Sequence, residues 1–254
     1  MKRIYAIIYD MDKRDLKISI AHLYPKHLNL YGDMGNIIAL TKRCEWRNIK
    51  VDYYSVNPND DIPEADLYFI GGGQDNEQIT VAPCLYKHKN FLLEQRDKGS
   101  VFLGICGGYQ LLGHYYAPFE GEKLLGVGLL DAFTVAGNKR FIGNVTANTD
   151  FLTPKTVVGF ENHAGLTYLQ GDTKPLAKVE IGNGNNGEDG SEGARFMNVF
   201  GTYLHGSLLP KNSHFADYLL SLALEKKYGE PMDLSRLDDK IEIDAHNSVV
   251  GKAY

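Results

Sequence analysis

Apolar and polar residues in the first half of the chain follow two periods in alternation. Mainly apolar runs predict strands, and segments with apolar residues three or four positions apart predict helices. The predicted strands cover 3–9, 17–25, 50–56, 65–70 and 100–105, and the predicted helices cover 35–49 and 85–99. Strands separated by single helices favour a parallel sheet with right-handed crossovers.

The second half of the chain has more strand-like segments. Strands are predicted at 125–135, 141–149, 155–163, 177–183 and 196–206, followed by a helix at 213–229 with one apolar stripe. The glycine-rich segment 182–193 predicts a long surface loop. Together these elements predict one α/β domain over 1–254: three layers, with a mixed, largely parallel sheet and flanking helices. Its core spans about 17–230, and 231–254 is a C-terminal extension.

Composition narrows the class of protein. The 254 residues are 43% hydrophobic with a net charge of -5, and their lysines and arginines are scattered, so nucleic acid is not expected as a partner. No apolar run approaches the eighteen or so residues of a membrane span and no secretory signal is recognisable, so a cytoplasmic protein is expected. The three cysteines form no metal-ligand spacing, which argues against both a disulfide framework and a metal site.

The stretch VFLGICGGYQLLG, residues 101–113, places one of these cysteines in a reactive setting. An apolar strand runs into Cys106, and the two glycines after it lead into a helix. This is the pattern of a nucleophile elbow, and the helix N-terminus that follows favours a thiolate. Cys44 falls in a predicted helix and Cys84 at the start of a loop, so both are expected to be structural.

The candidate base and the candidate oxyanion donors come from other strand ends. His205 and His163 each follow a predicted strand, and the pattern leaves the base open between them. The glycines at 71–73 let the backbone approach a ligand closely, and Gly72 or Gly73 offers a free N–H as an oxyanion donor. No G-K-[ST] or G-x-G-x-x-G motif follows these glycines, which disfavours nucleotide binding.

Taken together, these motifs resemble the class I glutamine amidotransferases, which have a flavodoxin-like fold. GICGGYQLLG matches the G-x-C-x-G-x-Q signature, and GGGQDNEQ, GFENHAG and GTYLHG are similar to the CobB/CobQ-like branch. Within that branch, the segments 21–37, 138–145, 182–186 and 198–212 resemble the glutaminase subunits of lipid II isoglutaminyl synthases, which act in peptidoglycan biosynthesis.

The resemblance implies a role for each matched residue. Cys106 would attack the side-chain amide of L-glutamine, with His205 as its base and Gly73 and Gly107 as oxyanion donors. A guanidinium suits the α-carboxylate of glutamine, and the resemblance gives that role to Arg140. The remaining implied glutamine-pocket residues are Gln110, Asn162 and His163.

The chain departs from the wider family after its histidine. Most class I members have a glutamate two residues later, whereas this chain has Ser207. The resemblance implies that an aspartate of the partner subunit orients His205, and Glu161 is the rival within the chain.

The resemblance also implies a partner and a pathway. The partner is a MurT-like Mur ligase that uses ATP and magnesium to amidate D-glutamate in the lipid II stem peptide, so this chain would need no metal or cofactor. Two alternatives are another ammonia acceptor, such as a cobyrinate-type substrate, and a catalytically silent scaffold.

Overall fold

The computed structural model describes residues 15–252, so the strand predicted at 3–9 lies outside the described residues. Within 15–252 the strands are β1 (Lys17–Leu23), β2 (Lys50–Val56), β3 (Leu67–Ile70), β4 (Val101–Ile105), β5 (Tyr115–Ala117), β6 (Leu124–Leu125), β7 (Ala132–Asn148), β8 (Thr156–Leu169), β9 (Ala177–Ile181), β10 (Ser191–Glu192), β11 (Ala194–Phe196) and β12 (Val199–Thr202). The helices are α1 (Met34–Glu45), α2 (Asp75–Lys87), α3 (Lys89–Asp97), α4 (Gly107–Leu112), α5 (Leu208–Lys211), α6 (Ser213–Tyr228) and α7 (Lys240–Asn247).

The first sheet has the strand order β11-β12-β4-β3-β1-β2, and only β11 is antiparallel to its neighbour. Every residue of β3, β4 and β12 is buried, as expected for central strands of a parallel sheet covered on both faces. The carboxyl ends of these three strands lead into 71–73, Cys106 and His205, which therefore meet at one edge of the sheet.

The second half of the chain adds only β11 and β12 to this sheet, whereas the one-sheet prediction required all of its strands to extend it. The other strands form a second sheet of order β10-β9-β7-β5-β6, with β8 also paired to β7. The strands predicted at 125–135 and 141–149 are one strand, β7, whose register with β8 shifts between Ala136 and Phe141. This register shift accommodates residues 137–140, so β7 is continuous although the strand-like sequence pattern is interrupted there.

The helix predicted at 85–99 is two helices, α2 and α3, which meet at His88. The sequence analysis missed the first part of α2 because residues 74–78 are polar and because Pro83 interrupts the helical pattern. Asp75 and Glu77 lie in its first turn, where carboxylates interact favourably with the helix dipole. Cys84 consequently lies within a helix and not at the start of a loop.

Segment 182–193 is only in part the surface loop that its composition predicts, since residues 187–189 are exposed while 184–186 and 191–193 are buried. Asn185, Asn186 and Glu192 are buried. The Glu161 carboxylate accepts hydrogen bonds from the backbone N–H groups of Asn183 and Gly184 and from the Asn183 side chain. Side-chain acceptors thus satisfy the backbone donors of a glycine-rich turn and allow it to pack inside.

The extension after 230 packs against α1 and α6 through charged groups. The Arg43 guanidinium is buried and donates to the carboxylates of Asp217 and Asp239 at 2.6 Å each. The His246 ring in α7 lies 2.8 Å from both Thr156 Oγ1 and the Lys211 carbonyl oxygen.

Among the helices within 15–252, none combines the length and apolarity needed to cross a membrane.

The buried carboxyl group of Glu192 should make the free energy of unfolding depend on pH. Burial raises the pKa of its carboxyl from 4.5 to about 7, although Thr202 and the Tyr203 N–H donate to it. The folded state therefore keeps a proton that the unfolded chain releases, and the free energy of unfolding falls by about 3 kcal/mol as pH rises through this window. We expect Glu192→Gln to abolish this fall in urea unfolding measured from pH 4.5 to 8. Glu188→Gln changes an exposed residue of the same segment and should keep this dependence of the free energy of unfolding on pH. The same dependence on pH in both variants would contradict the prediction.

Candidate active site

The turn at Cys106 has the geometry of a nucleophile elbow. Cys106 has φ 49° and ψ -107°, a positive-φ backbone conformation outside the allowed regions that a non-glycine residue adopts only under strain. A β-carbon on Gly108 would lie 2.4 Å from the Ile70 carbonyl oxygen, so only glycine lets α4 approach β3 this closely. The side chain of Cys106 reaches the edge of a cavity while the residue stays 8% exposed.

Cys44 has the structural setting that the sequence predicts. It is fully buried, and burial raises the pKa of its thiol to about 12, so it remains a thiol at neutral pH.

His205 adjoins the elbow from the end of β12. Its backbone pairs with Phe160 of β8, which holds the residue at the junction of the two sheets. A β-carbon on Gly72 would lie 2.8 Å from His205 Cε1 and 3.4 Å from Cys106 Cβ, so both side chains pack against this glycine. The structure therefore brings His205 and Cys106 together as the sequence predicts.

The charges around His205 favour its protonated form. Burial lowers the pKa of the imidazole, but the negative charges of the Cys106 thiolate and the Asp33 carboxylate outweigh burial and raise it to about 10. A thiolate paired with an imidazolium is the form in which a cysteine is already activated as a nucleophile.

His163, the other candidate base, forms part of the cavity wall. Its ring stacks on Tyr203 with the ring centroids 3.6 Å apart, and its Nδ1 lies 2.8 Å from the Gly165 carbonyl oxygen. The Glu161 carboxylate lies 3.9 Å from His163 Nε2 and is otherwise occupied by the 183–184 turn. The contacts of Glu161 therefore argue against its role as the acid behind His205.

Asp33 is the acidic residue that faces His205, and the sequence analysis did not single it out. It is fully buried, and its Oδ1 lies 3.9 Å from His205 Nδ1. The only local signal is the motif YGDMGN, in which an aspartate between glycines precedes a helix. Asp33 and His205 are 172 positions apart in the chain and meet only in the folded sheet, so no sequence spacing could pair them.

A cavity of about 410 Å³ opens beside Cys106. The sequence-predicted residues that line it are Gly73, Cys106, Gln110, Arg140, Asn162 and His163. Gly107 is buried behind this wall, where a β-carbon would lie 3.0 Å from the Gly73 nitrogen. All the predicted glutamine-pocket residues thus surround one space or back directly onto it.

Arg140 and Asp75 give this cavity groups of opposite charge. Arg140 Nε donates to Asn162 Oδ1 at 2.6 Å, and Asn162 Nδ2 donates to the Tyr31 hydroxyl at 2.7 Å. Among the described residues, Asp75 is the sole acidic side chain lining the cavity. The arrangement suits a small zwitterion with a carboxylate and an ammonium group.

Gln110 is oriented towards the cavity from α4. Its Nε2 donates to the Tyr203 hydroxyl at 3.1 Å, and a β-carbon on Gly165 would lie 2.4 Å from that nitrogen. Gly165 therefore provides the space that the Gln110 amide occupies.

This elbow, with its histidine and its charged cavity, defines an amidotransferase type of site, and comparison with known proteins agrees. Residues 19–213 match the CobB/CobQ-like glutamine amidotransferase domain, so the chain belongs to that family and is a glutamine amidotransferase. The fold is similar to that of a glutamine amidotransferase from Thermotoga maritima, with a TM-score of 0.52 and 18% identity over 93% of this chain and 94% of the other.

Individual proteins of this family are similar to the chain over different shares of their length. The chain is 44% identical to the GatD subunit of the glutamine-hydrolysing lipid II isoglutaminyl synthase of Staphylococcus aureus, over 93% of this chain and 96% of the relative. It is 42% identical to the Streptococcus pneumoniae subunit of the same name, over 88% and 86% respectively. A probable cobyric acid synthase of Methanothermobacter thermautotrophicus is 33% identical over 76% of this chain but only 40% of its own length. The family resemblance and the α/β fold class predicted from the sequence are both confirmed.

Gly72 provides a test of this geometry. We expect Gly72→Ala to lower kcat/KM for glutamine hydrolysis on the order of 100-fold, because a β-carbon there pushes His205 away from Cys106. Steady-state assays with glutamine would measure the loss, and circular dichroism would check that the fold is kept. Activity within a few-fold of wild type would show that the two side chains do not depend on this contact.

Proposed function

We propose that this chain is the glutaminase subunit of a lipid II isoglutaminyl synthase, and that it hydrolyses L-glutamine and delivers ammonia to a MurT-like ligase. The observation that carries the proposal is the charged cavity that opens on Cys106 with His205 beside it. The two relatives named as GatD subunits of such synthases support the acceptor, because they match this chain over most of both lengths.

In the proposed chemistry, the thiolate of Cys106 attacks the side-chain carbonyl carbon of glutamine. The carbonyl oxygen becomes an oxyanion, which the backbone N–H groups of Gly73 and Gly107 stabilise. The C–N bond breaks as His205 gives its proton to the leaving nitrogen, which departs as ammonia and leaves a thioester. Water then attacks the thioester, His205 takes a proton from that water, and glutamate leaves as the thiolate is regenerated.

Recognition of glutamine would use the opposite charges of the cavity. The Arg140 guanidinium has two of its nitrogens turned to Asn162, and its Nη1 has no partner within the described residues, so it can bind the α-carboxylate. Asp75 would accept from the α-ammonium group. The Tyr116 hydroxyl, 3.4 Å from both Asp75 carboxylate oxygens, would limit its movement.

The partner completes the proposed reaction. The ligase would use ATP and magnesium in the cytoplasm to amidate the D-glutamate of the lipid II stem peptide, while this chain would need neither a metal nor a cofactor. A cobyrinate-type acceptor is less favoured, since the cobyric acid synthase relatives are 33% and 29% identical to this chain, against 44% and 42% for the two GatD subunits.

Cys106→Ser separates an amidotransferase from a silent scaffold. In a reconstituted complex, we expect it to abolish transfer of amide nitrogen from ¹⁵N-labelled glutamine to lipid II, as followed by mass spectrometry. Ligation should persist with ammonium chloride, because free ammonia bypasses the thiol. Transfer from glutamine at the wild-type rate would support the scaffold, and Cys84→Ser is the matched control because that thiol lies in α2.

The cavity charges predict the pattern of substrate selection. Arg140→Gln should raise KM for glutamine roughly 10- to 100-fold by removing a charged hydrogen bond. Asp75→Asn should lose discrimination against glutaramate, which lacks the α-amino group, as measured by the ratio of the two kcat/KM values. Lys139→Gln, a neighbouring change outside the cavity lining, should leave both quantities unchanged. An unaltered ratio in Asp75→Asn would rule out its contact with the ammonium group.

A further inference from the structure

Ser207 lies two residues after His205, and its backbone is strained. It has φ 49° and ψ 85°, a left-handed conformation that glycine adopts freely and that serine adopts at a cost. Ser207 is the N-cap residue of α5, yet its side chain makes no capping hydrogen bond. A strained non-glycine residue so close to a reacting group indicates that its side chain has another use.

The hydroxyl of Ser207 holds the turn that precedes α1. It donates to the Gly32 carbonyl oxygen at 2.6 Å. Gly35, in the first turn of α1, makes room for this contact, because a β-carbon there would lie 2.2 Å from Ser207 Oγ. The Leu209 N–H donates to Asn36 Oδ1 at 2.8 Å, which is a second link between α5 and α1.

The same turn contacts both parts of the reacting site. Its Tyr31 ring packs edge-on against His205, with the ring centroids 4.9 Å apart. Its Leu30 N–H donates to the Gly72 carbonyl oxygen at 3.1 Å. A trans peptide directs its N–H away from its carbonyl oxygen, so this hydrogen bond also fixes the direction of the Gly73 N–H, the proposed oxyanion donor.

We propose that Ser207 is a positioning residue, and that through this turn it holds His205 and the Gly73 N–H in their relative places. The inference rests on the proposed function, since it adds a residue to that same site. A serine hydroxyl carries no charge, so Ser207 does not act as the acid behind the histidine. It fixes the distance between the base and the oxyanion donor, on which the rate of the reaction depends strongly.

A role in folding alone would make glycine the better residue at position 207. Glycine adopts a positive φ without strain, so Ser207→Gly would then leave the enzyme intact. A positioning role makes the opposite prediction, because glycine lacks the hydroxyl that holds Gly32. The two roles are therefore separated by one substitution.

We expect Ser207→Gly, in the complex with the ligase subunit, to lower kcat for glutamine hydrolysis roughly 10- to 100-fold with KM within about threefold. The KM should hold because the charged groups that bind glutamine are unchanged. Thermal unfolding should stay within about 3 °C of wild type. Ser248→Ala is the matched control, since its hydroxyl also donates to a backbone carbonyl oxygen, that of Ala245 at 2.7 Å, and it should leave kcat unchanged.

Gly35→Ala tests the same contact from the side of α1. Its β-carbon would displace the Ser207 hydroxyl, so kcat should fall to a similar extent. In the Ser207→Gly background this β-carbon meets no side chain at position 207 and should cause no further loss. Such non-additivity is expected only of residues that act through one contact.

Two results would overturn the proposal: a kcat for Ser207→Gly within about twofold of the Ser248→Ala control, or losses that multiply in the double variant. Wild-type complex that hydrolyses no glutamine would refute the proposed function instead. Alkylation of Cys106 by iodoacetamide, followed by mass spectrometry, needs no glutamine and would still test Ser207. Its rate should fall at least about threefold in Ser207→Gly, because His205 is held less closely beside the thiolate, and an unchanged rate would also overturn the proposal.

Discussion

Close backbone contact between the end of β3 and the elbow after β4 is the constraint on which the site depends. The Gly108 N–H donates to the Gly71 carbonyl oxygen at 3.1 Å, and β-carbons on Gly107 or Gly108 would collide with the backbone of 70–73. This contact brings the Gly73 nitrogen beside Gly107 and keeps Cys106 in its positive-φ conformation. Local strain of this kind persists only where the surrounding structure enforces it, and here two buried parallel strands do so.

The second sheet contributes one wall of the cavity beside Cys106. The β7–β8 hairpin carries Arg140 at its register shift and Asn162 and His163 opposite it, so the bulge turns a long hairpin into one wall of the cavity. Pairing of Phe160 with His205 joins this wall to the first sheet. The cavity wall and the Cys106–His205 pair are thus linked through the backbone bridge between Phe160 and His205.

Buried polar groups stabilise the junction between the two sheets. Apolar packing alone would not orient the side chains there. The Tyr203 hydroxyl receives a hydrogen bond from Gln110 and lies 2.7 Å from Thr167 Oγ1, and its ring stacks on His163. Behind them, Glu161 and Glu192 anchor the 183–192 segment through backbone N–H groups and hydroxyls. Such networks stabilise one arrangement of side chains because any other leaves buried polar atoms unpaired.

The sequence alone determined the features that depend on local order. Cys106 could be identified because its glycines and flanking apolar strand are contiguous, and the strand and helix periods located most elements of the first sheet. The motifs also predicted Gln110, Arg140 and His205 as site residues, and the structure places them at the cavity or beside Cys106. Tertiary structure decided what depends on distant contacts. Residues 184–186 are buried because Glu161 accepts hydrogen bonds from the backbone at 183–184, and residues 132–148 form one strand because β8 supports them across the bulge. It also decided which acid faces His205, since Asp33 and His205 approach each other only where parallel strands far apart in the chain end side by side.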